Sequence, residues 1–210
     1  MAPQKSKDKK TEVRRKIAKE AATLLYHGLE KEYKQAKQKA AANLGVHILP
    51  SNLEVALELD QVAGETEGPE RLERLIQMRA EALQIMKVLA SYFPVLIGSV
   101  WRGNIRRGSD IDIEAYHNDP EALVEKLRAA GLKVLRTQSM NTTERGEPVS
   151  SYHIYAESSG GYPVEIVIRP FEEANKKRIC DTFGDTIKGL NTQDLEKLLK
   201  ECPAKRFFAS

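Results

Sequence analysis

IGSVWRGNIRRGSDIDIEAYH, residues 97–117, decides how the rest of the chain is read. An apolar run ends at Ile97 and passes directly into Gly98-Ser99. Past Ser109 come two aspartates, Asp110 and Asp112, with one isoleucine between them. Residues 111–116 alternate as a strand does. Alternate residues of a strand share a face, so Asp110, Asp112 and Glu114 point one way while Ile111 and Ile113 face a core. Adjacent carboxylates repel and raise each other's pKa unless positive charge lies between them. Mg²⁺ is the usual remedy, taking one or two carboxylates together with phosphate oxygens. An acidic solvent face would explain the pair equally well, so the surroundings have to decide.

Three features of the surroundings favour a site. Glycine at 98 lets backbone approach a ligand closely. The Ser99 hydroxyl and the amides that follow suit phosphate oxygens. A third acid, Glu165, stands in VEIVI, with Val164 and Ile166 facing the other way. A lone charge in such a strand is costly unless solvated or paired. A strand neighbouring 111–116 would bring Glu165 to Asp110 and Asp112. Glu114 shares their face but lies a further ~6–7 Å along the same strand, so Glu165 is the preferred third acid.

Outward from this stretch the chain is read as follows. Residues 1–10 are polar and charged without apolar period, which predicts a disordered basic tail. From about 11 to 44 the pattern is helical, with Gly28 as an interruption and Gly45 at the end. Pro50 and Asn52 mark a turn, and a short helix over 53–64 follows. Residues 69–91 form the clearest helix, with Leu75, Leu83 and Met86 on a wide apolar face. Arg79 shares that face, so its head group must reach solvent or find a partner. Residues 93–97 read as a buried strand and 100–107 as a short helix or turn. Asp119-Pro120-Glu121 starts a helix that ends at Gly131. Residues 132–138, 151–157 and 164–168 are strands, the first two joined by the loop NTTERGEPV. Asn191-Thr192 opens a helix over about 193–201. The expected organisation is a tail at 1–10, a helical region at 11–92, an α/β or α+β core at 93–170 and a C-terminal helical segment at 171–210.

No run approaches the ~20 apolar residues of a membrane span, and the basic N-terminus lacks the apolar segment of a secretory signal. Cys180 and Cys202 are the only cysteines. A disulfide framework is therefore not expected, and a cytoplasmic setting is. The 33 Lys/Arg and 30 Asp/Glu are unevenly spread: residues 1–50 carry 12 and 5, a net +7, leaving −4 for the remainder. Such asymmetry suits a polyanion partner as well as a solvated surface. Lys31, Lys34 and Lys37 step by three through EKEYKQAKQKAA and form the candidate nucleic-acid surface.

Ile97-Gly98-Ser99, Ser109-Asp110-Ile111-Asp112-Ile113 and Val164-Glu165-Ile166 together resemble the nucleotidyltransferase superfamily of DNA polymerase beta. That motif has Gly-Ser after an apolar residue, Asp-x-Asp between apolar residues, and a third acid on a later strand. Ser109 departs from it by being polar. The resemblance covers roughly residues 93–170. Arg102-Gly103 extends it toward archaeal CCA-adding enzymes, although Trp101 stands where those have a small residue and the chain is too short for their additional domains.

The resemblance implies a mixed sheet with helices and a nucleotidyltransferase activity. An acceptor hydroxyl attacks the α-phosphate of a nucleoside triphosphate, ATP being the first candidate, and pyrophosphate leaves. Asp110, Asp112 and Glu165 would be the catalytic acids, holding two Mg²⁺ ions. Gly98, Ser99, Arg102, Arg106 and Ser109 would bind nucleotide, with Arg107 and Asn104 as further candidates. RNA is the implied acceptor. A partner protein's hydroxyl is the alternative, by similarity to small nucleotidyltransferases of toxin–antitoxin pairs, and a non-catalytic nucleotide-sensing module is another. His117 and His153 are read as polar strand histidines in preference to bases or ligands. Trp101 and Tyr116 are open between packing and stacking on a base, while Tyr152 and Tyr155 fall on opposite faces of their strand and are read as packing residues.

Overall fold

In the computed structural model, residues 3–144 and 147–208 are described, and they divide into two compact units. The first holds residues up to Gly68 together with 179–185; the second holds 69–178 and 186 onward.

The first unit is three helices: α1 Pro3–Tyr26, α2 Tyr33–Asn43 and α3 Asn52–Glu67. Ile17, Ala21 and Ala22 of α1, Ala36 and Ala40 of α2, and Val55 of α3 share one buried cluster. Alanines at these contacts let helix backbones approach closely, and alanine also has the best helix propensity. Residues 3–10, expected to be disordered, are helical; Met1 and Ala2 lie outside the described residues. The helical pattern read over 11–44 breaks between Tyr26 and Tyr33, at the expected interruption, where Gly28 takes φ +69°. A capping box starts α3. Ser51 Oγ accepts from the Glu54 amide at 3.1 Å, and Glu54 Oε2 accepts from the Ser51 amide at 2.7 Å, worth about 1 kcal/mol. Glu54 also pairs with Arg14. Burial works against the Glu54 charge, but the Arg14 hydrogen bond and the Ser51 contacts outweigh it and hold the carboxyl at about 2.

The second unit is a six-stranded mixed sheet with helices, an α+β fold. Its elements are α4 Glu70–Val88, β1 Val95–Ile97, α5 Gly98–Arg102, β2 Ile111–Tyr116, α6 Pro120–Ala129, β3 Lys133–Glu144, β4 Glu147–Glu157, β5 Pro163–Arg169, β6 Leu190–Asn191 and α7 Thr192–Glu201. The strand order is β3-β4-β5-β2-β1-β6. β2 and β5 are parallel and the other pairs antiparallel. Helix α4, expected to belong with the N-terminal helical region, contributes Leu75, Met78, Leu83 and Met86 to the sheet's own core. Ile111, Ile113, Ile154, Ile166 and Ile168 meet them from one face of the sheet, and burying each such side chain contributes roughly 1.5–3 kcal/mol.

Two boundaries moved for physical reasons. The strand expected over 93–97 keeps only Val95–Ile97, because Phe93 has φ +51° and Pro94 cannot donate to a ladder. The loop expected at NTTERGEPV is instead paired backbone, Asn141 with Ser150 through Glu144 with Glu147; Arg145 and Gly146 lie outside the described residues. In the expected C-terminal helical segment, α7 is present, while Phe171–Glu173 is a single 3-10 turn and β6 joins the sheet beside β1. No helix among the described residues is long and apolar enough to cross a membrane.

Arg79 finds its partner without reaching solvent. It is fully buried, and its guanidinium donates to four carbonyls: Val100 at 3.0 Å, Trp101 at 2.8 Å, Pro203 at 2.6 Å and Lys205 at 2.9 Å. The first two are carbonyls of α5, which a short helix leaves without partners at its C-terminal end. Burial lowers the Arg79 pKa to about 10, so the group stays charged at neutral pH and fastens α5 to the 203–205 segment.

Candidate active site

β2 places Asp112 opposite Ile97 of β1 on one side and opposite Glu165 of β5 on the other. Asp110 sits just before the strand and shares the same face. One carboxylate oxygen from each of Asp110, Asp112 and Glu165 lies within 4.8 Å of the others, a spacing that fits a metal ion. The neighbours Ile111, Ile113, Val164 and Ile166 all point into the core, so the period of two sets the cluster on the opposite face.

Gly98 is required by this cluster. It has φ +69°, and a Cβ built on it would stand 1.9 Å from Asp112 Oδ2. The Gly-Ser turn therefore runs directly over a carboxylate, and no other residue fits there without displacing it. Ser99 is half-buried, and its carbonyl accepts from the amides of Gly103 at 2.8 Å and Asn104 at 3.2 Å.

The electrostatics follow from the geometry. Burial, then the charges of Asp110 and Glu165, push the Asp112 carboxyl up to about 8. Asp110 is raised by burial and by Glu165, against the opposing pull of its own amide and of Arg106. Oxygen donors that cannot all ionise comfortably in the bare protein are the donor set a hard divalent cation takes. Mg²⁺ therefore fits these residues.

Glu165 is held by a side chain the sequence reading left among polar strand histidines. His153 Nδ1 lies 2.7 Å from Glu165 Oε1, and Ser151 Oγ lies 2.9 Å from His153 Nε2. The ring thus bridges the Ser151 hydroxyl and the Glu165 carboxylate and orients the carboxylate. Tyr155, directly across from Glu165 on β4, completes this side, and Arg136 of β3 lies over its ring. The signal was present in part: Ile154 and Ala156 alternate as core residues, so His153 and Tyr155 share the other face. The strand register was not readable.

Glu114, on the same face as Asp112, has a different fate. It is only 3% exposed and pairs with Arg169 Nε at 3.2 Å and with Arg178, while the Tyr116 hydroxyl donates to it at 3.3 Å. That keeps Glu114 out of the metal cluster and makes Tyr116 a core residue.

The arginines also sort themselves. Arg102, the first choice for a phosphate cation, is 3% exposed with its guanidinium 4.5 Å from the Trp101 ring centroid. A cation buried in this way is not presented to a ligand. Trp101 is itself buried and packs against Phe207, so neither serves as a stacking surface. Arg106 is the arginine whose charge is felt at Asp110. Ser109 closes the turn that carries it, its Oγ accepting from the Arg106 amide at 2.9 Å. His117 caps locally, its Nδ1 accepting from the Asp119 amide at 3.0 Å.

The lysine band is broken. Lys31 precedes α2, Lys34 is exposed on it, and Lys37 is half-buried, donating to Asn52 Oδ1 at 2.7 Å.

Neither a family profile nor a curated protein matches the sequence. Among solved structures, a cytoplasmic RNA terminal U-transferase aligns over 56% of this chain and 34% of its own, at 17% identity and TM-score 0.29. The GLD-2/RNP-8 complex aligns over 58% and 38%, at 13% identity and TM-score 0.32. JHP933 from Helicobacter pylori aligns over 59% and 52%, at 17% identity and TM-score 0.28. The aligned part spans between about a third and a half of those chains. Superpositions this loose fix neither family nor activity.

Proposed function

We propose that the protein is a Mg²⁺-dependent nucleotidyltransferase of the DNA polymerase beta type, transferring AMP from ATP to the terminal hydroxyl of an RNA. The observation that carries this reading is the cluster of Asp110 and Asp112 with Glu165 of the neighbouring parallel strand, whose carboxylates crowd one another and which Gly98 overlies.

Asp110, Asp112 and Glu165 would hold the metal. When bound, Mg²⁺ supplies charge neutralisation for the triphosphate and lowers the pKa of an acceptor hydroxyl. Gly98 leaves room for the tail of the nucleotide, and the Ser99 hydroxyl donates to its phosphate oxygens. Arg106 replaces Arg102 as the phosphate cation, on the turn that Ser109 closes. His153 holds one oxygen of Glu165 and so positions that carboxylate beside Asp110 and Asp112. The acceptor oxygen bonds to the α-phosphorus, the bond to the bridging oxygen breaks, and pyrophosphate leaves while the hydroxyl proton passes to Glu165. Lys34 and Lys31 remain exposed cations for an RNA backbone; Lys37 does so only by giving up Asn52.

The test is incubation with α-labelled ATP, Mg²⁺ and an RNA pool from the native source, tRNA included. Label is expected on an RNA terminus. Label on a polypeptide, or on nothing, would overturn the RNA reading.

A further inference from the structure

One row of residues crosses the sheet through the site. Ile97 of β1 pairs with Asp112, Asp112 with Glu165, Glu165 with Tyr155 of β4, and Tyr155 with Arg136 of β3. Strands lie ~4.8 Å apart, so Tyr155 stands about one strand spacing from Glu165 and Arg136 about two. Gly98 and Ser99 lie at one end of this row. The other end holds two planar groups and no acid.

Those groups are arranged as a platform. The Arg136 guanidinium carbon lies 3.4 Å from the centroid of the Tyr155 ring, and Arg136 Nη1 donates to Gln138 Oε1 at 2.9 Å. The His153 ring is nearly parallel to Tyr155, at 22° with centroids 6.2 Å apart. Arg136 is exposed and Tyr155 half-buried. The core does not need either residue, because Ile154 and Ala156 fill it from the opposite face of β4. An exposed guanidinium lying over an aromatic ring keeps an outer side available to a ligand.

We propose that Tyr155 and Arg136 are the acceptor subsite, a stacking platform for the last base of a single-stranded RNA whose terminal hydroxyl faces Glu165. This deepens the function proposed above and rests on it. Bases of single-stranded RNA stack on aromatic rings and on guanidinium planes, without regard to sequence, since every base has a π-face. The distance from a base to the hydroxyl of its own ribose is comparable with the one or two strand spacings between the platform and Glu165. The opposite end of the row is committed to the triphosphate, which leaves the β4 and β3 side for the acceptor. A protein acceptor offers a hydroxyl but no base for the plane and no phosphate for the cation.

The test uses the full chain and a short single-stranded RNA whose last base is 2-aminopurine, without triphosphate. Wild type is expected to quench that probe on binding. Arg136→Lys, which keeps the charge and loses the plane, and Tyr155→Leu are each expected to weaken terminal-base binding about tenfold. ATP binding with Mg²⁺ should be unchanged in Arg136→Lys, and a probe at the first base should report no difference. Equal quenching in wild type and both variants would overturn the platform, as would transfer to RNA at an unchanged KM for RNA in Arg136→Ala. Platform-dependent quenching with no label transferred to any acceptor would overturn the transferase reading and leave the stacking site standing.

Discussion

Asp112 and Glu114 lie two residues apart on one face of β2, and the protein treats them in opposite ways. Glu114 is the more deeply buried, yet it is neutralised from within by Arg169 and Arg178. Asp112 meets two further carboxylates, and its own proton affinity rises to about 8. A buried acid with protein cations around it belongs to the scaffold. A buried acid whose nearest charged neighbours repel it stores an unfavourable interaction that a ligand can relieve. Two arginines pair directly with Glu114 at one end of this strand, while Asp112 at the other is pushed up by Asp110 and Glu165, and perturbed acids of that kind mark candidate sites.

Exchanging the roles of the two residues by mutation tests the contrast. Asp112→Asn removes one oxygen donor while keeping shape, and it relieves the repulsion. We expect nucleotidyl transfer to fall at least ~10³-fold, with Mn²⁺ binding by titration weakened in step, because the metal supplies several kcal/mol of transition-state stabilisation. Wild-type transfer in Asp112→Asn would remove Asp112 from the metal site. Glu114→Gln should do the reverse. It takes the buried carboxylate from Arg178 and leaves Arg169 to Glu173, at a cost of ~3–5 kcal/mol in urea unfolding, while Mn²⁺ affinity stays within about twofold of wild type. A large loss of metal affinity with intact stability would mean that Glu114 belongs to the cluster after all.

How much of this was legible depended on whether a residue sat on a periodic element. β2 was readable to the residue, because IDIEAY alternates and its isoleucines demand a core. Glu165 was readable as an anomaly among β-branched neighbours, though only the parallel pairing of β5 with β2 converts that anomaly into a site. His153 needed the register of a long hairpin, which is set by backbone pairing and leaves no local mark. The far half of that hairpin was unreadable for a related reason: on an edge strand, SMNTTE has no apolar alternation to keep. β6 is two residues long and shows no pattern at all. Arg102 was chosen because a planar guanidinium matches phosphate, and its burial left no mark in the sequence. In this fold α5 buries it against Trp101. Arg79 was read as needing solvent or a partner, and four backbone carbonyls are a partner that no side-chain pattern reveals.

The smallest effect isolates Asp112 from the rest of the molecule through pH. Its folded-state pKa is raised from 3.8 to about 8, so between those values the folded protein binds more protons there than the unfolded chain. Stability from this group is complete below about pH 4 and is lost as pH rises through 8. Asp112→Asn has no proton to lose. The metal-free variant should therefore gain on metal-free wild type as pH rises, from no difference near pH 4 to about 1–3 kcal/mol near pH 8 in urea unfolding. The Arg14–Glu54 pair acts in the opposite window: with Glu54 held at about 2, its contribution is present above pH 4.5 and lost as pH falls toward 2. That acid limb is common to both proteins and cancels in the difference. Adding Mg²⁺ at pH 8 should restore wild type and leave Asp112→Asn unmoved, because only the wild-type cluster has the repulsion to relieve. A difference curve that stays flat from pH 4 to 8 would mean that the three acids are solvated in the working protein and exert no pull on a cation beyond that of an ordinary acidic surface.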